Sequence, residues 1–245
     1  RRLQLSNLLS LYRYRAMDSL GKIMLASPKV YADSATMDDI RNNTRLGHAL
    51  SDVAPLSVTI TGSSLIHIDS AHHVPVQIGD SVRHYTFDTG ANLSVLMRSE
   101  AHALGVQIRP AGLDVGSSTG AKVSADLAVA PRVRIGQVSY SNVVFLVLPD
   151  SMLTFSNGFR IPGIIGFPLI EGMGEVNLRG DGSLRIPAEA SSPGPRNIAM
   201  EELRPLVQIS YGGEKLTCRL DSGAGESQLQ MLYYVAHRAR VEREG

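Results

Sequence analysis

Two short stretches of this chain carry the residue types of acid–base chemistry: Asp88-Thr89-Gly90-Ala91 and Asp221-Ser222-Gly223-Ala224. Each follows a related approach, Pro75-Val76-Gln77-Ile78 in the first case and Leu206-Val207-Gln208-Ile209 in the second. Ser94 and Leu96 have counterparts in Ser227 and Leu229 at the offset of 133 that separates the two Asp residues. One Asp-Thr-Gly is weak, because the same residues make good turns. Two copies, each preceded by strand, turn and strand, form a degenerate internal repeat. At such a loop tip the Asp presents a carboxylate, the Gly admits close backbone approach, and the hydroxyl residue can hydrogen-bond across an interface. Two such loops brought face to face pair two carboxylates, which cannot both ionise and therefore share a proton. Water between them can lose a proton to one Asp and attack a peptide carbonyl, while the other Asp protonates the developing oxyanion.

The elements needed to position these loops are legible as patterns. Residues 1–52 read as a helical accessory segment, with Leu5, Leu8, Leu9, Tyr12 and Ala16 at three- and four-residue steps and a helix start near Ser34 or Thr36. Its positive charges, Arg1, Arg2, Arg13 and Arg15, read as a solvated face. From Pro55 short period-two stretches take over: 57–60, 65–68, 74–78 and 83–87, with turns at Gly62, Gly79-Asp80 and Gly90. A short helix from Arg98 to Leu104 closes at Gly105, and strand-like runs follow at 123–130, 132–135, 138–148, 175–178 and 183–186. The class expected is mostly β, with residues 53–188 as one lobe, 189–198 as a linker rich in Ser, Pro and Gly, and 199–245 as a partial second lobe.

Composition removes several alternatives. Lys+Arg 24 against Asp+Glu 23 leaves a net charge of +1, so no basic field for nucleic acid or anionic membranes is expected. Trp is absent and aromatics are 5%, which argues against a stacking platform for sugars or single strands. The single cysteine, Cys218, excludes an internal disulfide and a multi-cysteine zinc site, and reads as a small packed hydrophobe. His67, His72 and His73 near Asp69 fit no helical zinc spacing and read as a polar turn. The longest apolar run, Val143 to Leu148, is far short of the roughly 18 residues of a membrane helix. No metal or organic cofactor is expected.

With these residues in view, the chain resembles the retropepsin-like aspartic proteases, in particular their bacterial aspartyl-protease-like members. The resemblance rests on Phe87-Asp88-Thr89-Gly90-Ala91-Asn92-Leu93-Ser94, on Ala103-Leu104-Gly105, and on Gly163-Ile164-Ile165-Gly166-Phe167-Pro168. It covers about residues 71–187 and the start of a second lobe from about 199. It implies a closed β-barrel lobe, with Asp88 and Asp221 as the catalytic pair and Thr89, Gly90, Ala91, Ser94, Ser222 and Gly223 as the active-site loops. Ile164, Ile165 and Gly166 take the place of the strand that supports the first loop, 76 residues from Asp88 to Ile164. A Gly-tipped flap is expected around Gly116, Ser117, Ser118, Thr119 and Gly120, closing over an extended peptide or protein substrate.

The departures from the family pattern shape the expectations. Only 24 residues follow Asp221, so the second lobe is expected to be incomplete. Either Asp221 pairs with Asp88 in one chain, or Asp88 pairs with Asp88 of a second chain in a homodimer. Gly225-Glu226 stands where the first lobe has Asn92-Leu93. Ala91 and Ala224 stand where pepsin-like enzymes commonly carry Ser, which removes a donor to a carboxylate and implies a less acidic optimum. The activity implied is aspartic endopeptidase; the alternative is a catalytically inactive peptide- or protein-binding module on the same fold. The resemblance also implies a periplasmic, secreted or cell-surface location. The chain opens without the pattern of a signal peptide, and an upstream segment is expected to have been removed.

Overall fold

The structure is a computed structural model, and it describes residues 2–27, 33–69, 72–116, 122–191, 194, 197–201 and 203–244. Three helices come first: α1 (Arg2–Ser10), α2 (Tyr14–Leu25) and α3 (Ser34–Ala49). The α3 start is capped by Asp33, whose carboxylate accepts from the Thr36 N–H at 2.7 Å, one residue before the start expected from sequence. Helices α2 and α3 pack through small residues. Gly21 faces Thr44, and a Cβ on Gly47 would lie 2.7 Å from the Asp18 backbone nitrogen.

Among the described residues, eleven strands and two α-helices then build the main lobe: β1 (Ser57–Ile60), β2 (Ser64–His67), β3 (His73–Ile78), β4 (Ser81–Phe87), β5 (Ser94–Met97), α4 (Arg98–Ala103), β6 (Ile108–Gly116), β7 (Lys122–Ile135), β8 (Val138–Leu148), β9 (Gly163–Ile165), α5 (Phe167–Gly172), β10 (Asn177–Leu178) and β11 (Ser183–Ile186). Eight of these strands form one sheet in the order β1-β8-β5-β9-β4-β3-β7-β6, and β7 pairs along most of its length with β8 as well. Strand β7 runs straight through Pro131, where the sequence pattern breaks into two runs; Ala130 and Arg132 both keep partners on β8. The β6 strand escapes the period-two pattern because Pro110 and Gly112 interrupt it, and its register against β7 shifts between Arg109 and Leu113.

Two cores result. Inside the sheet, Val74, Val76, Tyr85, Phe87, Phe145 and Ile165 are among the residues almost wholly removed from water. On the outer side of β5, β6 and β8, the helices lay Leu5, Met17, Met24, Ile40 and Leu50 against Leu93, Val95, Leu113 and Leu146. The apolar stripe of the first helices therefore has a partner in the sheet, and burial of this kind contributes about 25 cal/mol per Å².

Strands β10, β11 and β2 form a second sheet, and a third, β12 (Ile198–Glu201), β13 (Arg204–Tyr211) and β14 (Glu214–Arg219), is followed by α6 (Met231–Ala236) and α7 (Arg238–Glu244). These strands alternate poorly in burial, and Leu229, Met231, Leu232 and Val235 are exposed. The described residues are mixed α and β, not mostly β: they contain seven α-helices beside the strands, and the sequence pattern signals neither α5 nor the last two. No described helix is long and apolar enough to cross a membrane.

Candidate functional site

Strand β4 delivers Asp88 at its end, and β5 carries the chain away after Leu93. The three-residue strand β9 slides between them, parallel to β4 through Thr86/Ile164 and Phe87/Ile165, and antiparallel to β5 through Val95/Ile164. Its backbone fixes the loop: the Asp88 N–H donates to the Ile165 carbonyl at 3.0 Å, and the Phe167 N–H donates to the Ala91 carbonyl at 2.8 Å. Gly166 donates its N–H to Ser94 Oγ at 3.1 Å, and a Cβ there would lie 2.6 Å from the Leu93 carbonyl. Ile164, Ile165 and Gly166 thus lie where the resemblance placed a supporting strand, and Ser94 is buried against them. Within the loop, Asp88 Oδ1 accepts from the N–H groups of Gly90 at 2.8 Å and Ala91 at 3.2 Å.

The second loop reaches this one within the same chain. Strands β13 and β14 form a hairpin as β3 and β4 do, and Leu220 then leads into Asp221. The hydroxyl residues cross over reciprocally. Thr89 Oγ1 donates to the Leu220 carbonyl at 2.9 Å and accepts from the Ser222 N–H at 3.0 Å; Ser222 Oγ donates to the Phe87 carbonyl at 2.9 Å and accepts from the Thr89 N–H at 3.0 Å. The two glycines face the opposite carboxylates. A Cβ on Gly90 would lie 2.6 Å from both Asp221 oxygens, and one on Gly223 would lie 2.6 Å from Asp88 Oδ2. Residues of types Asp, Thr or Ser, and Gly are thereby used twice, in mirrored roles, and the two carboxylates come together.

The pair is asymmetric. Asp88 is half-buried, whereas Asp221 is exposed and takes one loop N–H, from Gly223 at 3.0 Å. Burial pushes the Asp88 carboxyl above its ordinary range and the charge of Asp221 pushes it further, outweighing the Gly90 and Ala91 donors. A carboxyl raised in the folded state binds its proton more tightly there than in the unfolded chain. Its contribution is therefore full at low pH and is lost as pH rises from the ordinary Asp range through the raised value. Relative to wild type, Asp88→Asn is expected to be stabilised near neutral pH, with Tm higher by on the order of 2–4 °C for each kcal/mol of relieved repulsion. The gain should vanish at about pH 3, where the wild-type carboxyl is protonated. Thermal melts of both proteins across that range check this.

Several elements were not apparent from sequence. A cavity of about 540 Å³ opens beside Gly90, Ala91 and Asn92 and is bounded by β6, by Arg204 and by α1 and α3. Helix α3 holds β6 directly: Asn42 Nδ2 donates to the Asp114 carbonyl at 3.0 Å, and the Asp114 N–H donates to Asn42 Oδ1 at 2.8 Å. Arg45 adds a bond to the Gly112 carbonyl at 2.8 Å. In a linear reading, Asn42 and Arg45 are indistinguishable from solvated helix residues.

Of the expected flap, Gly116 ends β6 opposite Lys122, while Ser117, Ser118, Thr119 and Gly120 lie outside the described residues. Ser227, matched by offset to the buried Ser94, is exposed, because no counterpart of β5 and β9 shelters the second loop among the described residues. Cys218 is only half-buried, since one face of β14 is open to solvent. His73 Nδ1 lies 2.9 Å from Asp69 Oδ2 in a turn. Among the described residues, no group of three or more His, Cys, Asp or Glu is gathered as a metal ion requires.

A family model and a solved structure are similar to parts of this chain. A crystal structure of a retropepsin-like aspartic protease from Rickettsia conorii is similar, with 19% identity and a TM-score of 0.39 over 54% of this chain and 93% of that one. No curated protein sequence matches. Residues 74–169, which contain β3 to β9 and the Asp88 loop, match the aspartyl protease family. That match spans the Asp88 loop and its supporting strand β9, and over those residues the chain is similar to the aspartyl proteases.

Proposed function

We propose that the chain is an aspartic endopeptidase of retropepsin-like architecture, hydrolysing peptide bonds with water activated between Asp88 and Asp221. The observation that carries this reading is the reciprocal seating of Gly90 against Asp221 and Gly223 against Asp88, locked by Thr89 and Ser222. Like charges at that range share one proton, and the raised Asp88 carboxyl is its holder. Asp221, the more exposed partner, takes a proton from the water as it attacks the peptide carbonyl carbon. Asp88 gives its proton to the carbonyl oxygen, producing a neutral tetrahedral diol. Collapse of the diol expels the amine, which must leave protonated; Asp221 returns the proton it took, and Asp88 regains one from the diol hydroxyl.

The second pairing of β7 with β8 supports reading the sheet of the main lobe as a closed barrel, with the Asp88 loop at its open rim. The substrate is an extended peptide or protein segment lying between the loops and the β6–β7 hairpin, since an extended chain offers its carbonyl across such a groove with side chains alternating. The binding-module alternative predicts capture of the same segments without hydrolysis. Incubation with a diverse peptide mixture at about pH 3.5–7, where a shared-proton pair operates, separates the two by mass spectrometry. Internal cuts are expected; peptides bound and recovered intact would contradict the enzyme reading.

A further inference from the structure

The cavity beside the Asp88 loop has a wall that the aspartyl protease match does not contain. Leu9, Asp39 and Asn43 come from α1 and α3, before the matched span of residues 74–169 begins. Facing them are Ala91 and Asn92 of the loop and Val115 of β6. At about 540 Å³ the space lies within the range of specific ligand pockets. It is lined by Leu5, Leu46, Leu113 and Leu146, which belong to the second core, together with Asp39, Asn43, Asp114 and Arg204. The wall is held at a fixed distance from β6, because Asn42 pairs with both backbone groups of Asp114 and Arg45 ties the Gly112 carbonyl.

We infer that the N-terminal helices form a specificity subsite, with Leu9 as the residue that sets its depth, receiving a large apolar side chain of the substrate next to the scissile bond. This rests on the peptide-binding reading of the Asp88 loop. The occupant follows from continuity. An extended peptide that places its carbonyl at Asp88 runs past Ala91 and Asn92, which line the cavity, and alternate side chains of an extended chain point to one side. The side chain turned toward α1 meets Leu5, Leu9 and Leu46, so burial of an aliphatic or aromatic group is favoured. Leu9 itself is half-buried, which leaves room to change its size without opening the helix packing.

The test uses the full chain with Leu9→Trp, which fills the cavity, and Leu9→Ala, which deepens it. Each is compared with wild type on a peptide series differing at one position flanking the cut, from Ala through Leu to Phe. Reduced-amide versions of the same peptides, which cannot be hydrolysed, are titrated in parallel. The ratio of kcat/KM for Phe over Ala is expected to fall at least tenfold in Leu9→Trp and to rise in Leu9→Ala, with reduced-amide affinities shifting in the same sense. One methylene-sized change in an apolar pocket shifts discrimination by roughly 10–200-fold. Cleavage with an unchanged ratio in both variants overturns the subsite and leaves the protease reading standing. Reduced-amide selectivity that shifts while no protein cleaves supports the subsite and overturns the protease reading. Absence of both cleavage and binding overturns the inference. Should Leu9→Trp melt early, the opposite shift in Leu9→Ala still decides.

Discussion

Asp88→Asn and Asp221→Asn are each expected to reduce peptide cleavage by at least ~10³-fold while leaving the fold intact, since positioned acid–base groups contribute about 10²–10⁴ each and here act as one unit. The equality of the two effects is the informative part. Asp88 sits in a loop braced by Ile165, Gly166 and Phe167, whereas Asp221 lies on an exposed loop with no comparable brace among the described residues. If placement in the better-braced loop were all that mattered, only Asp88→Asn would silence the protein. Because the two carboxylates face each other across Gly90 and Gly223, loss of either leaves one group that cannot be acid and base together. Kinetics of both variants on a single peptide check this, alongside melts showing that neither is unfolded.

Gly223→Ala is expected to be the most damaging substitution outside the carboxylates themselves, with cleavage reduced on the order of 10²-fold. The added Cβ would lie 2.6 Å from Asp88 Oδ2, so the carboxylate or the whole second loop must shift. A displacement of about 1 Å at reacting groups is enough for a loss of that size. The stability cost should be milder, about 1–3 kcal/mol, as for other overpacked contacts. Gly180→Ala is the matched control: a Cβ there meets nothing within 4 Å, and it should leave turnover and Tm nearly unchanged. Comparable losses in both variants would show that glycine substitution in general, not contact with Asp88, is responsible.

How much of this was legible in the sequence depends on whether a feature leaves a local pattern. The two hairpins β3–β4 and β13–β14 lead into Asp-Thr-Gly-Ala and Asp-Ser-Gly-Ala, so the repeat and the two carboxylates could be read directly. Strand β9 is only three residues long, and its place between β4 and β5 carries no periodic signal; it was accessible only through the resemblance. The contact of α3 with β6 leaves no signal at all. A helix residue that hydrogen-bonds a distant backbone, as Asn42 does with Asp114, has the same chemistry as one that faces water. The α1 stripe was visible, but a stripe does not name its partner, and here the partner is the outer face of the sheet beside the Asp88 loop. Polarity at the second lobe misled in the other direction. Ser227 and Cys218 match positions that are sheltered in the first lobe, yet few strands cover them.

The central claim is that one chain supplies both carboxylates. Specific activity per chain should therefore be measured over about a thousandfold range of protein concentration, with an equimolar mixture of Asp88→Asn and Asp221→Asn as a second arm. Constant activity per chain, and no activity recovered in the mixture, is the result expected of an intramolecular Asp88/Asp221 pair. Activity that rises with concentration, together with an active Asp221→Asn protein, would contradict it and assign the chemistry to two copies of Asp88.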